Sequence, residues 1–527
     1  MASQGVGRVL IVDNDVRTAS LLKENLEEEG YDVRAAEGVG DSLVTHALEI
    51  GRSFRPHVAI VDLRIGGLPA LDMLRSTDHL GLELLRGLSQ ARCILRSAFL
   101  TPEVTRIAIK EFGAFDVIGA QESPLRLLDA VAAAVEETCA SKRGFEIHWP
   151  SELSSQQVVE ALAGKDAGVP SDIVEDVLGR AFPLAQSARL ETLSGDKVTP
   201  QSATRGRSVV LKAWPDDQLE PLVVKVAPTR RIVEEARNYS DYIKGNLGGH
   251  FHAILEGKPI TFWDLGGVLY TFMGTPRQSL PSFAEFYREQ QEPQTIVRPL
   301  QHFFRDVWGD LYLEATGAGQ PLFLSYERVL RLDKRLLGFP DSEQVMRFPG
   351  LPAPLLDPVL WVLRHKDDCT IPCTRQVITH GDLHGDNLFV DGVHAWAIDF
   401  ERSGPGPILR DFVELEVDIV TRLISFPADD LSRLYELAII LAEPSKLTTS
   451  FQTTLVLSDD PEVSKALGVI YGARYLACEM TGCPDPREYL WGLLLDALFV
   501  ASLIPQGVPQ RDRALLLASV LCERLEH

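Results

Sequence analysis

HGDLHGDNLFVDGVHAWAIDFE, residues 380–401, sets His380, Asp382, His384, Asp386, Asn387, Asp391, His394 and Asp399 among glycines and apolar side chains. Gly381 and Gly385 oppose a continuous helix, so the first acids are expected on a loop. A zinc site built from His380 and His384 would need that helix. The order reads instead as a loop His380-x-Asp382-x4-Asn387, a strand LFVD, a turn at Asp391-Gly392 and a second strand VHAWAID ending in Asp399. Phosphoryl transfer from ATP needs one carboxylate at the attacking hydroxyl and separate oxygen ligands for magnesium on the phosphates. Asp382 can be the first, and Asn387 and Asp399 the second.

This spacing resembles the protein-kinase catalytic loop and its metal-binding aspartate, with Asp399-Phe400-Glu401 at the position of that family's Asp-Phe-Gly. It is closer to the aminoglycoside phosphotransferase and choline kinase group, whose loop carries HGDLHxxN followed by IDF. The resemblance spans Ala185 to the C-terminus. It implies an α+β two-lobed kinase-like domain and an ATP- and magnesium-dependent phosphotransferase acting on a hydroxyl acceptor, with Asp382 catalytic and Asn387 and Asp399 holding the metal. Upstream, LETLSG, RSVVLKAW and PLVVKVAP read as small-lobe strands, followed by the helix RRIVEEARNYSDYI. Lys225 lies inside the third strand, where an unpaired ammonium would be costly. It is either an edge-strand lysine with its head in solvent or a nucleotide-binding lysine held by Glu235, with Glu234 the next candidate. GGVLYTFMGT, Gly266 to Thr275, reads as a strand entering an apolar linker.

One departure concerns LSGDKVTPQSATRGRS, where the family is rich in small residues and this chain has only Gly195 and Gly206. The alternative function is therefore a nucleotide-binding pseudokinase or scaffold. Further on, GPGPILRDFVELEVDI, Gly404 to Ile419, is similar to kinase-like domains beside signalling and effector modules in bacterial conflict systems. Asp411 in it is expected to brace the catalytic loop.

The other end of the chain alternates strands and helices: RVLIVDND, TASLLKENLEEEGY, YDVRAA, HVAIVDLR, ELLRGLSQ, RCILRSAF and TRIAIKEFGAFDVIGA. Such alternation implies a parallel sheet with helices on both faces and a working site at the carboxyl ends of its strands. Three of these ends carry Asp13, Asp62 and Ser97. The pattern resembles the receiver domain of bacterial response regulators. That resemblance implies a parallel five-stranded α/β fold, magnesium held by Asp13 and Asp62 with Asn14 beside them, phosphorylation at Asp62 and a phosphoryl contact from Ser97. A sensor histidine kinase or a small phosphodonor would supply the phosphoryl group. Asn14 replaces the family's second acid, Ala120 falls where a lysine is usual, and GGLPALDMLRSTDH is extra sequence after Asp62. A degenerate receiver used for docking is the other reading.

The expected organisation is a receiver domain over 1–137, a helical connector over 138–185, a kinase-like small lobe over 186–276 and a large lobe over 277–527. A chain of 527 residues, 45% hydrophobic, exceeds one core. Its net charge of -22 argues against nucleic acid or an anionic membrane as partner. Seven cysteines and a start lacking the shape of a signal peptide point to the cytoplasm. Cys369 and Cys373, like Cys478 and Cys483, lack zinc spacing and read as ordinary thiols. YLWGLLLDALFVASLI, Tyr489 to Ile504, is too short to span a bilayer and reads as a core helix. A homodimer is compatible with all of this, and the hydroxyl acceptor is left unidentified.

Overall fold

The structure, a computed structural model, describes residues 7–66, 80–164, 168–192, 208–247, 252–275, 278–314, 316–339, 344–367, 372–427, 430–443, 460–482 and 485–526. Gly195, Gly206, Cys369, Cys483 and most of the extra stretch after Asp62 lie outside them. The chain divides into two compact units. The first contains Met1–Thr199, Arg207–Ile232 and Glu256–Tyr270; the second contains Val233–Leu255 and Thr271–His527.

In the first unit, strands β1 (Arg8–Val12), β2 (Asp32–Ala36), β3 (Val58–Asp62), β4 (Arg92–Ser97) and β5 (Asp116–Gly119) form one sheet in the order β2-β1-β3-β4-β5. Every pairing is parallel. β1 is apolar at every position and buried throughout, as a strand covered on both faces must be. Its side chains alternate between two cores. Val9 and Ile11 pack with Leu22, Leu26 and Val131 from helices Val16–Glu28 and Pro124–Thr138. Leu10 and Val12 pack with Leu43, Leu85 and Ala108 from helices Asp41–Phe54, Leu80–Gly87 and Pro102–Lys110. The expected α/β receiver fold is what forms.

The same unit holds a six-stranded sheet of β6 (Glu146–His148), β7 (Ser187–Thr192), β8 (Val209–Pro215), β9 (Leu222–Pro228), β10 (Leu255–Phe262) and β11 (Leu265–Thr271), ordered β10-β11-β9-β8-β7-β6. Helices Ser155–Ala163 and Asp172–Ala181 bury Val158, Leu162, Val174 and Val177 against Leu190, Leu211, Val224 and Phe262 of that sheet.

A buried polar network joins the receiver to helix Asp172–Ala181. The Arg8 backbone N–H donates to His57 Nδ1 at 2.9 Å, so the imidazole proton sits on Nε2, which donates to Asp176 Oδ2 at 2.8 Å. Asp176 Oδ1 accepts the Ala140 N–H at 2.9 Å, and Arg8 pairs with Asp172. The Cys139 thiol completes a group whose ligand atoms lie within 4.8 Å of one another. A metal there would need His57 Nε2 without its proton, so the group is a hydrogen-bonded junction. Trp263, in the β10–β11 turn, donates its indole N–H to Pro56 O at 3.0 Å, and Arg55 pairs with Asp264.

The second unit is α+β and kinase-like. Strands Thr316–Pro321, Cys373–Thr379 and Gly404–Pro407 form an antiparallel sheet, and Leu388–Val390 pairs with Ala395–Ala397 as a hairpin. Helix Pro486–Leu503 is buried over nearly its whole length, as the apolar stretch predicts. Among the described residues no helix is long and apolar enough to cross a membrane.

Removing one member of a buried charge network strands its partners. Asp176→Ala is expected to lower stability of the first unit by about 3 kcal/mol and to speed hydrogen exchange in both β1 and helix Asp172–Ala181. Unchanged exchange in either segment would show that the network does not hold them together.

Candidate active site

The loop from His380 to Asn387 has few backbone partners of its own, and helix Arg410–Asp418 supplies them. Asp411, Glu414 and Asp418 are spaced three and four residues apart, which puts them on one helical face. Asp411 accepts the N–H of His380 and of Gly381, each at 2.9 Å, and the Tyr312 hydroxyl at 2.8 Å. Glu414 accepts the Leu383 N–H at 2.8 Å, and Asp418 the Gly385 N–H at 2.9 Å. Asp411 thus braces the loop as its place in the sequence implies. Gly381 has φ +78°, and a Cβ there would stand 2.2 Å from Arg402 O, so only glycine fits. His380 is fully buried, its Nε2 donates to Ile398 O at 2.9 Å, and burial holds it below the usual imidazole range.

Asp382 follows with its side chain about one-third exposed, and its Oδ1 lies 3.2 Å from Arg402 Nη1. Burial pushes this carboxyl up, but Arg402 beside it holds it below the usual carboxylate range. Asn387 donates Nδ2 to Asp382 O at 2.8 Å; a carbonyl can accept only from the amide nitrogen, so Asn387 Oδ1 is left as an acceptor. The Ile398 N–H donates to Asn387 O at 3.0 Å, which holds Asn387 across the hairpin from the residue before Asp399. Asp399 has φ +65°, a left-handed conformation rare outside glycine. Its carboxylate, that of Glu401 and that of the fully buried Glu235 offer oxygens within 4.8 Å of one another.

Asp382, Asn387 and Asp399 are therefore neighbours within the second unit, and Glu235 joins Asp399. The order of motifs in the sequence did not single out Glu401 or Arg402 as site residues; they lie two and three positions after Asp399, and the groups they approach, Glu235 and Asp382, come from other segments. Lys225 belongs to the first unit. Its strand β9 lies between β11 and β8, and the residue is 2% exposed, so it is neither at an edge nor in solvent.

In the receiver sheet, the register Val12↔Val61 and Asp62↔Arg96 brings Asp13, Asp62 and Ser97 to one end. Ser97 hydrogen-bonds Asp62. Burial raises both acids, Asp13 to about 6, and each repels the other. Arg96 opposes this: its charge lowers both, and its Nη2 lies 3.5 Å from the carbonyl of Ala120. A cation thus stands beside the position where the family's lysine is missing. Asn14, part-buried, follows Asp13 directly, while Asp15 caps the next helix.

Residues 319–499 match the family described as Ternary complex associated domain 9. Among solved structures, the chain is similar to the Vibrio cholerae chemotaxis protein CheY4, at 19% identity over 25% of this chain and 99% of that one, TM-score 0.20. It is also similar to amicoumacin kinase hAmiN, at 13% identity over 60% and 85%, TM-score 0.35. A thermostable mutant of aminoglycoside phosphotransferase APH(4)-Ia matches at 12% identity over 63% and 94%, TM-score 0.34. These identities and TM-scores are low, and the chemistry of this chain rests on its own residues.

Asp411→Asn should place an amide NH2 against loop amides that need acceptors. The expected result is a loss of about 2 kcal/mol in the second unit and faster exchange at His380 and Gly381. Exchange rates equal to wild type at these two amides would show that the brace is dispensable.

Proposed function

We propose that the chain is a cytoplasmic bacterial signalling protein in which a phosphoacceptor receiver regulates an ATP- and magnesium-dependent phosphotransferase acting on a hydroxyl acceptor. The observation that carries the reading is the gathering of Asp382, Asn387 and Asp399 on one loop and hairpin held from behind by buried carboxylates. The donor set fits magnesium: hard oxygens from Asp399 and Asn387, with the Glu401 and Glu235 carboxylates close to Asp399. Magnesium, when bound, would neutralise charge on the phosphates. Asp382 orients the acceptor hydroxyl and takes its proton, Lys225 and Glu235 serve nucleotide binding, and Asp399 and Asn387 hold the metal.

In the receiver, Asp13 and Asp62 would hold a second magnesium, Asp62 would take the phosphoryl group from a sensor histidine kinase or small phosphodonor, and Ser97 would contact it. Arg96 supplies the positive charge that Ala120 cannot. Regulation follows from β3. It carries Asp62 at one end, and His57, immediately before its other end, joins the receiver to the connector helix. A homodimer is one way such a change could be read out. The second reading, a nucleotide-binding pseudokinase or scaffold with a docking receiver, is favoured by one contact, the Arg402 guanidinium on Asp382, which occupies one of the two carboxylate oxygens.

Two variants decide between them. Asp382→Asn should leave ATP affinity nearly unchanged while turnover falls about a hundredfold or more, whereas Asp399→Asn should weaken magnesium-dependent ATP binding itself. Calorimetry and phosphate transfer from labelled ATP to fractionated lysate measure both. Equal turnover in wild type and Asp382→Asn would sink the catalytic assignment.

For the receiver, a small phosphodonor with magnesium should label wild type and not Asp62→Asn, and Arg96→Ala should cut labelling at least about tenfold. Label that persists in Asp62→Asn, or none in wild type, refutes the phosphoacceptor reading.

A further inference from the structure

Within the first unit, away from both acidic sites, three arginines border a cavity of about 340 Å³. Arg92 opens β4, Arg143 ends the short helix Ala140–Arg143, and Arg180 belongs to helix Asp172–Ala181; Thr138, Pro183 and, from β10, Ile260 and Thr261 form the remaining wall. Glu137, paired with Arg92, is the one acid among the lining residues. The lining therefore carries a formal charge of +2, inside a chain whose net charge is -22.

The three guanidiniums differ in how far they are used. Arg143 donates to Gly179 O at 2.8 Å and Phe182 O at 3.1 Å, with longer contacts to Pro183 O and Ala185 O. It caps the helix end and adds charge to the cavity rather than donors. Arg180 stacks on the Phe262 ring, 4.0 Å from its centroid. Its Nε and Nη1 reach only the carbonyls of Thr138 and Thr261, at 3.4 and 3.3 Å, and its Nη2 is buried with no hydrogen-bond partner. Among the described residues no carboxylate contacts Arg180 directly; Asp176, one turn away, is engaged by His57 and the Ala140 N–H. Burial pulls this guanidinium down to about 10. A buried guanidinium that makes only two long hydrogen bonds is under-satisfied, and an anion at the cavity face would offset its charge.

We infer that this cavity binds a phosphate-bearing small molecule, with its anionic group between Arg180 and Arg92. A terminal phosphate carries close to two negative charges near neutral pH, matching the lining, and its oxygens suit the planar guanidinium fork. The volume is in the range of small-ligand sites. Such a ligand would touch the receiver through Arg92, the connector through Arg180 and the six-stranded sheet through Thr261. The Arg92 N–H also donates to His57 O at 2.8 Å, next to the buried network. Occupancy would therefore stiffen the segments that the network joins.

Inorganic pyrophosphate, without divalent metal, is the probe, titrated calorimetrically into the full chain. Saturable binding is expected, weakened at least about tenfold in Arg180→Gln and in Arg92→Ala. The Arg92 side chain is about half exposed (46%), so Arg92→Ala folds and decides the matter should Arg180→Gln fail to do so. Absence of saturable binding up to about 10 mM overturns the inference, as does binding of wild-type affinity in Arg92→Ala.

Discussion

Three buried carboxylates on one helical face hold a loop whose backbone amides have nowhere else to go. A loop interrupted by Gly381 and Gly385 cannot join a helix or a strand ladder, and buried N–H groups left without acceptors would be costly. Asp411, Glu414 and Asp418 accept four of them. The acids are in turn balanced: Arg410 Nε lies 2.8 Å from Glu414, Arg422 Nε 2.6 Å from Asp418, and Tyr312 donates to Asp411. Such networks contribute little net stability but specify geometry. Here they specify where Asp382 and Asn387 stand relative to Asp399.

The receiver is tied at the opposite end of its sheet from its acids. Arg8, Arg55 and His57 lie at the amino ends of β1 and β3, and their partners are Asp172, Asp176 and Asp264. The carboxyl ends, with Asp13 and Asp62, take no part in these pairings. One strand, β3, spans the two, so a change at Asp62 and a change at the buried network are separated by a single extended segment with no side chain free to move inside it.

The motifs were legible because each is local. HGDLHGDN and IDF name a loop and a hairpin from glycine placement and alternation, and RVLIVDND names a doubly covered strand from unbroken apolar character. In RDFVELEVD only Asp411 was read from the sequence, as a brace. What Glu414 and Asp418 accept was not visible, because backbone amides look alike in any sequence. Arg96 was missed for a related reason: the charge beside Ala120 comes from the neighbouring strand rather than from the position where a lysine is missing. The His57–Asp176 contact joins residues 119 apart, with nothing local to mark either.

By itself, then, the sequence determined the α/β character of the first part and several of its strands and helices, the loop and hairpin of the last part, and the residue types at the candidate sites. Tertiary structure alone decided that the connector helices share a core with the six-stranded sheet, that His57 is a junction rather than a ligand, that Arg402 sits on Asp382, and that three arginines border one cavity. The division is physical. Periodicity and turn chemistry act over a few residues and are written in the local order, whereas pairing of buried charges depends on which distant segments packing brings within hydrogen-bond reach.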